Sequence, residues 1–266
     1  MVEAELATPR RSWTIVGEWE LRDLWLGGRG LLLTLAFSVL VSMLTYLTAT
    51  NRALNFLEQR ESVNLTLQVA IAVGALLALV AAADTVSGER ERGTLETLLL
   101  APIPRLQLTL GKLGAAFSLS VAAFAITIPY VWFLGRGVGI VGAALASGAF
   151  VGMLLAVFLA SLGTLVSVLA ASNRVSLSVS LFLLLALFAP TQFPSGAQQG
   201  WLGEFLLRAN PLTAGEHYVG KIVVDGHAWS QDVLWLASPI VAAALFALLA
   251  AVAGARFMHL SRGSSR

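Results

Sequence analysis

The chain has 266 residues, of which 57% are hydrophobic and only 12% charged, with a formal net charge of +2 at neutral pH. A soluble domain carries roughly 45–50% apolar and about 25% charged residues, so this composition excludes an ordinary water-soluble fold. The absence of cysteine removes disulfides, thiolate metal sites and a cysteine nucleophile.

The charges mark the ends of long apolar runs. No Lys, Arg, Asp or Glu occurs in Gly30–Asn51, Ser62–Ala83, Leu113–Gly135, Gly137–Asn173, Val175–Gly203 or Val233–Ala255. About 20 apolar residues in a helix cross the hydrocarbon core, and each run reaches that length. The reading is an all-α membrane protein, a single transmembrane domain over residues 1–266 with six spans.

Taken in order, the polar N-terminal stretch mixes acids and bases and does not read as a cleavable signal. Arg10–Gly28 carries Trp13, Trp19 and Trp25 among charges. Trp favours the headgroup zone, so residues 10–28 are expected to form an interfacial helix, with an irregular tail as the alternative. Spans are expected at Leu31–Thr50, Thr66–Ala83, Leu108–Leu134, Ala143–Ala170, Val175–Ala189 and Val233–Ala255. Pro129 is expected to kink the third. Gly148 and Gly152 in the fourth are spaced for close helix approach. The run Gly137–Asn173 would make a helix of about 55 Å, too long for one untilted span unless its Gly-rich start lies at the interface. Pro190 and Pro194 are expected to stop the fifth near Ala189.

The segment Thr191–Asp232 is expected outside, as short helices on or in the outer leaflet or as a plain loop. Thr213-Ala-Gly-Glu216 matches a capping box, which would start a helix at Thr213. His217, His227, Glu216 and Asp225 cluster there, but their spacing matches no metal-ligand pattern, and a solvated surface is expected. With six spans both termini share a side. That side holds 12 of the 17 basic residues, so both termini are expected in the cytoplasm.

The informative interruption is the loop Ser87–Lys112, and within it residues 87–105. Glu89, Arg90, Glu91 and Arg92 are charges just beyond a span. Gly93 permits a sharp turn. Thr94 is placed to cap a new helix, and Glu96 favours its positive end. Leu95, Leu98 and Leu99 then share one face. Pro102 and Pro104 stop the helix before Arg105. The leucine face needs burial worth roughly 1.5–3 kcal/mol per side chain. A partner protein and the membrane interface are equally able to provide it.

No phosphate-loop motif occurs, since Gly111-Lys112 is followed by Leu113, so the chain should not hydrolyse ATP by itself. The spans lack the intramembrane charges that ion-coupled transporters use. Polar span residues such as Ser161, Thr164, Ser178 and Ser180 are expected to bond to their own helix backbone.

The loop resembles that of the membrane subunits of type-2 ABC exporters, which show a pattern like E-x-G-T-x-E-x-L-L-x-x-P-h-x-R. Here it reads Glu91, Gly93, Thr94, Glu96, Leu98, Leu99, Pro102, Ile103, Arg105, and continues into Leu110-Gly111-Lys112. Glu20-Leu-Arg-Asp23 resembles the family's interfacial helix. Asn210-Pro211, with Gly220 through Asp232, resembles its external segment.

The resemblance implies a permease subunit in a prokaryotic plasma membrane, paired with a second, identical or homologous membrane subunit. It implies two copies of a P-loop ATPase subunit that carry ATP and Mg, with no cofactor and no nucleic acid on this chain. Residues 87–105 would be the coupling loop. Its leucine face would insert into the ATPase, and Glu89, Arg90, Glu91 and Arg92 would flank the contact. The alternative is a mechanical transmitter driving an extracytoplasmic partner without cargo crossing. A secondary transporter or channel is the third reading.

Overall fold

The structure is a computed structural model that describes residues 12–50, 56–100, 103–189 and 200–257. Every regular element among them is helical. The expectations placed on Pro102, Pro190, Pro194 and Thr191–Gln199 fall outside the described residues.

Helix α1, Ser12–Leu26, occupies the stretch expected at the interface. Gly28 adopts φ 84°, a left-handed conformation open to glycine, and turns the chain into α2, Arg29–Ala49. α1 lies along the start of another helix, α6, Arg105–Gly135. A methyl at Gly111 of α6 would stand 2.7 Å from Val16 Cγ1, so glycine there allows α1 to seat. Trp25 Nε1 donates to Ser118 Oγ of α6 at 3.0 Å, while Trp19 stays exposed.

α3, Phe56–Asp84, starts ten residues before the span expected at Thr66, and α7 runs over Val141–Leu169. These two form the centre. A methyl at Gly163 would meet Leu79 O at 2.6 Å, and one at Gly148 would meet Leu67 Cδ2 at 2.8 Å. Gly152 faces Ile71 Cγ1 at 3.3 Å. The pair Gly148/Gly152 thus brings α7 onto the Leu67–Ile71 ridge of α3, as the small-residue spacing indicated. Ser120 Oγ of α6 donates to Gly74 O at 2.6 Å on another side of α3.

The overlong run Gly137–Asn173 is divided by turns. Gly139, at φ 70°, precedes α7, and Ala170 leaves it in an extended conformation. Ser172 Oγ then accepts from Val175 N and caps α8, Asn173–Phe188. α8 ends at Phe188, next to the stop expected near Ala189, and α6 stays helical through Pro129 to Gly135. Among the described residues five helical stretches are long and apolar enough to span a membrane, with the 16-residue α8 as a shorter apolar sixth. Thr164 Oγ1 donates to Ala160 O as expected, whereas Ser161 Oγ and Ser180 Oγ are buried without a partner.

At the far end lie α9, Trp201–Ala209, and α10, Pro211–Val223. The capping-box expectation is corrected here. α10 starts at Pro211, and its cap is Asn210, whose Oδ1 accepts from Leu212 N at 2.9 Å. Proline fits the first helical position because its missing N–H is not needed there. Thr213 lies inside the helix, its hydroxyl turned to Leu207 O. Asn210 Nδ2 also donates to Leu187 O, tying α10 to the end of α8. Leu212, Tyr218 and Val219 are buried in the main core, so α10 dips into the bundle.

The last helix, α11, Ala237–Phe257, brings Gly254 against Thr109 of α6. α1 and the end of α11 therefore meet the same end of α6, where the loop also lies.

The α3–α7 seam yields a test. Gly163→Ala is expected to cost about 1–3 kcal/mol, the usual range for overpacking, because the contact is backbone that cannot step aside. Gly142→Ala, with nothing within 4 Å, is the control. Thermal unfolding in mild detergent should show a lower Tm for the first variant only.

Candidate functional site

The loop folds as two short helices where one was expected. After Asp84 ends α3, α4 spans Ser87–Arg92, Gly93 turns at φ 72°, and α5 spans Leu95–Leu99. Thr94 does not cap α5 with its side chain. It sits in helical conformation, and its N–H and hydroxyl both point to Glu89 O, at 3.0 and 3.3 Å. Pro104 precedes α6, which starts at Arg105.

The leucine face turns inward. Leu95 is 4% exposed and packs with Val16, Val86, Leu108, Val168 and Ala253, and Leu98, Leu99 and Ile103 flank this cluster partly buried. Neither a partner nor the membrane is needed to cover Leu95, because the bundle covers it. This corrects the picture of a leucine face directed wholly at a partner. The side presented outward holds Glu91, Arg92, Gly93, Thr94, Glu96, Thr97 and Leu100, with Leu100 74% exposed.

The four charges divide in the same way. Arg90 is turned onto the last turn of α7: its guanidinium donates to Ala170 O and, at 3.1 Å, to Val168 O. A cation there satisfies carbonyls that have no helical partner and faces the negative end of the helix dipole. Ser167 Oγ adds to the join by accepting from Val86 N and Ser87 N, at 3.1 and 2.9 Å. Glu89 is also turned inward, and Glu91 is exposed. Arg92 reaches Asp84 at 3.6 Å, which also receives Arg29 at 3.0 Å and Asn173 Nδ2 at 2.7 Å.

Glu89 meets Lys112, which the sequence placed at the loop's end. Lys112 lies inside α6 with no exposed side-chain surface. Its Nζ donates to Glu89 Oε1 at 2.5 Å and to Glu20 Oε1 of α1 at 2.6 Å. One buried cation thus joins α1, α4 and α6. The sequence holds the signal only in part, since Glu20 and Lys112 stand in segments that resemble the family but nothing in their spacing pairs them.

A family model described as ABC-2 family transporter protein matches residues 14–259. The chain belongs to the ABC-2 transporter family. A comparison with curated proteins found no match. As a member of this family the protein is an ABC-type permease subunit, a multi-pass membrane protein with the loop at one end of its helices.

The opposite end of this permease holds the other titratable cluster. Lys221 Nζ pairs with Asp225 at 2.8 Å, which lowers the Asp225 pKa and raises that of Lys221. His227 meets Asp232 at 2.6 Å, and His217 lies against Trp235 with ring centroids 4.0 Å apart. Burial, then Lys221, keeps the His217 pKa low. Among the described residues no three metal-ligating side chains gather. Glu216 is the exception in this cluster. Burial against α3 raises its pKa from 4.5 to about 7.

Two outcomes follow. Lys112→Met leaves two carboxylates facing each other without their cation, and is expected to destabilise the protein by about 3–5 kcal/mol, the range for breaking a buried pair. Unfolding in detergent measures this, and adding Glu20→Gln and Glu89→Gln to the same chain should recover part of the loss. For Glu216 the folded state holds its proton more tightly than the unfolded state. Its contribution to stability therefore falls as pH rises from 4.5 to about 7 and stays low above that. Glu216→Gln should flatten that slope and raise Tm at pH 8, as read by thermal unfolding across pH.

Proposed function

We propose that this permease subunit serves an ATP-driven exporter in a prokaryotic plasma membrane, with its loop docked on a separate ATPase. A second membrane subunit, identical or homologous, completes the translocation path. ATP and Mg bind on the ATPase subunits, one beneath each membrane subunit. Both termini and the loop face the cytoplasm, consistent with 12 of 17 basic residues on that side.

The observation that carries this reading is the way the loop is mounted. Its inner face is anchored through Leu95, Arg90 and Glu89, while Leu100 and the Glu91–Thr94 turn stand clear of the bundle. A segment that transmits force needs both a fixed attachment and an exposed contact. Leu98 and Leu99, half-buried beside the exposed Leu100, form the edge that an ATPase groove would complete.

Closure of the ATPase pair would push α5 and α4 together. The push would pass through Arg90 and Ser167 to α7, and through Glu89 and Lys112 to α6 and α1. Buried apolar side chains contribute roughly 1.5–3 kcal/mol each. Leu98→Asp with Leu100→Asp is therefore expected to weaken association with the co-expressed ATPase by at least about tenfold. Co-purification and stimulated ATP hydrolysis are the readouts, with Leu100→Asp alone, at the exposed position, as the variant whose Tm should be unchanged. Intact association and hydrolysis in the double variant would remove the docking role.

A further inference from the structure

Beside the loop, α1, α2, α3, α6 and α8 leave a cavity of about 350 Å3. Leu33, Val80 and Leu177 make one wall apolar, and Asp84, Glu89 and Asn173 make the other polar. α4 is therefore part of the lining, so an occupant would touch the loop itself.

One acceptor on a lining residue is unspent. Glu89 is 8% exposed, and its Oε1 takes the Lys112 ammonium, but its Oε2 is buried with no hydrogen-bond partner. A buried carboxylate oxygen normally finds a donor.

The charges agree with that vacancy for a donor. Glu20, Asp23, Asp84 and Glu89 line the space against Arg29 and Arg92, with Lys112 behind them, so that four acidic groups meet three basic ones, with burial raising the Glu89 pKa against the pull of Lys112. Both arginines are already directed at Asp84. An anionic head would meet surplus carboxylates and arginines already engaged. A single positive charge bearing N–H groups would balance the site and supply the missing donor.

We propose that this cavity binds a monocationic amphiphile. Its ammonium head donates to Glu89 Oε2, and its alkyl chain lies along Leu33, Val80 and Leu177. The proposal rests on the export reading only for treating the occupant as cargo, because binding itself needs no ATPase. Cargo held here would press on α4 and report its presence to the docked motor. A lipid amine and a free amphiphilic amine share the chemistry that the site recognises.

The test uses the full chain in nanodiscs of zwitterionic lipid lacking primary amines, without ATPase. The probe is a dodecylamine carrying a diazirine in its chain, with the matching alcohol, carboxylate and trimethylammonium compounds for comparison. Crosslinks are mapped by mass spectrometry. The amine is expected to label Leu33, Val80 or Leu177 about tenfold more than the alcohol, as one charge-assisted hydrogen bond would allow. The trimethylammonium compound, which has no N–H, should fall between them. Competition by phosphatidylethanolamine, compared with competition by free dodecylamine, distinguishes a lipid source from a soluble one.

Leu177→Trp fills the apolar wall without touching the Glu20–Lys112–Glu89 ion pairs, and should abolish this labelling while Tm holds. Glu89→Gln should reduce amine labelling to the level of the alcohol. Should that variant fail to fold, Leu177→Trp still decides. Equal labelling by alcohol or carboxylate, labelling spread over the outer faces of α2 and α8, or labelling unaffected by Leu177→Trp would overturn the proposal. Any of these would leave docking of the ATPase through Leu98 and Leu100 standing, and loss of that docking would leave the labelling unchanged.

Discussion

A lysine with no exposed surface, clasped by two carboxylates, holds together the loop end of this permease. Removing Lys112 from water costs several kcal/mol, and that cost is offset only by close contacts on both sides. Glu20 and Glu89 provide them at 2.6 and 2.5 Å. The three partners come from α1, α4 and α6, so the ion cluster cannot form unless all three helices are in place. Gly111, next to Lys112, lets Val16 of α1 approach within the same turn. The apolar seat and the charged clasp are thus adjacent on α6, and together they define where α1 and the loop lie.

α7 is the second fixed body. Its glycines bring it against α3 along most of its length, and its final carbonyls receive Arg90. The loop therefore has two attachments of different character: an ion cluster on α6 and a capped helix end on α7. Arg90 and Glu89 are neighbours in sequence, yet they lead to different helices. Motion of α4 would act on both at once, which suits a segment that passes force from a motor into a bundle.

At the other end of the molecule Lys221–Asp225 and His227–Asp232 pair, but the buried acid has no such compensation. α10 sinks into the bundle on Leu212, Tyr218 and Val219, and carries Glu216 with it into a place where burial favours the protonated acid. Tyr218 donates to Trp229 O, and Arg60 reaches Val224 O, so backbone contacts hold this segment. Short helices were one of the two forms that the sequence left open for Thr191–Asp232. The true start of α10 was not legible, because a capping-box pattern at Thr213 competed with a better Asn-Pro cap two residues earlier.

The sequence by itself determined the membrane class, the apolar helical runs, the close approach at Gly148 and Gly152, the stop of α8 and the family. All of these follow from composition, run length and local backbone preference, which act over a few residues. It also marked the loop, through its glycine turn and leucine spacing. Only the tertiary structure decided which way that loop faces. Leu95 had an unfilled need for burial, but whether the bundle, the bilayer or another protein fills it depends on Val16, Leu108, Val168 and Ala253 arriving from distant parts of the chain. Likewise, Glu89 and Arg90 look like solvated charges in a loop until folding sets Lys112 and the end of α7 beside them. Pairing of charges that far apart in sequence is a property of how helices pack, and no local spacing encodes it.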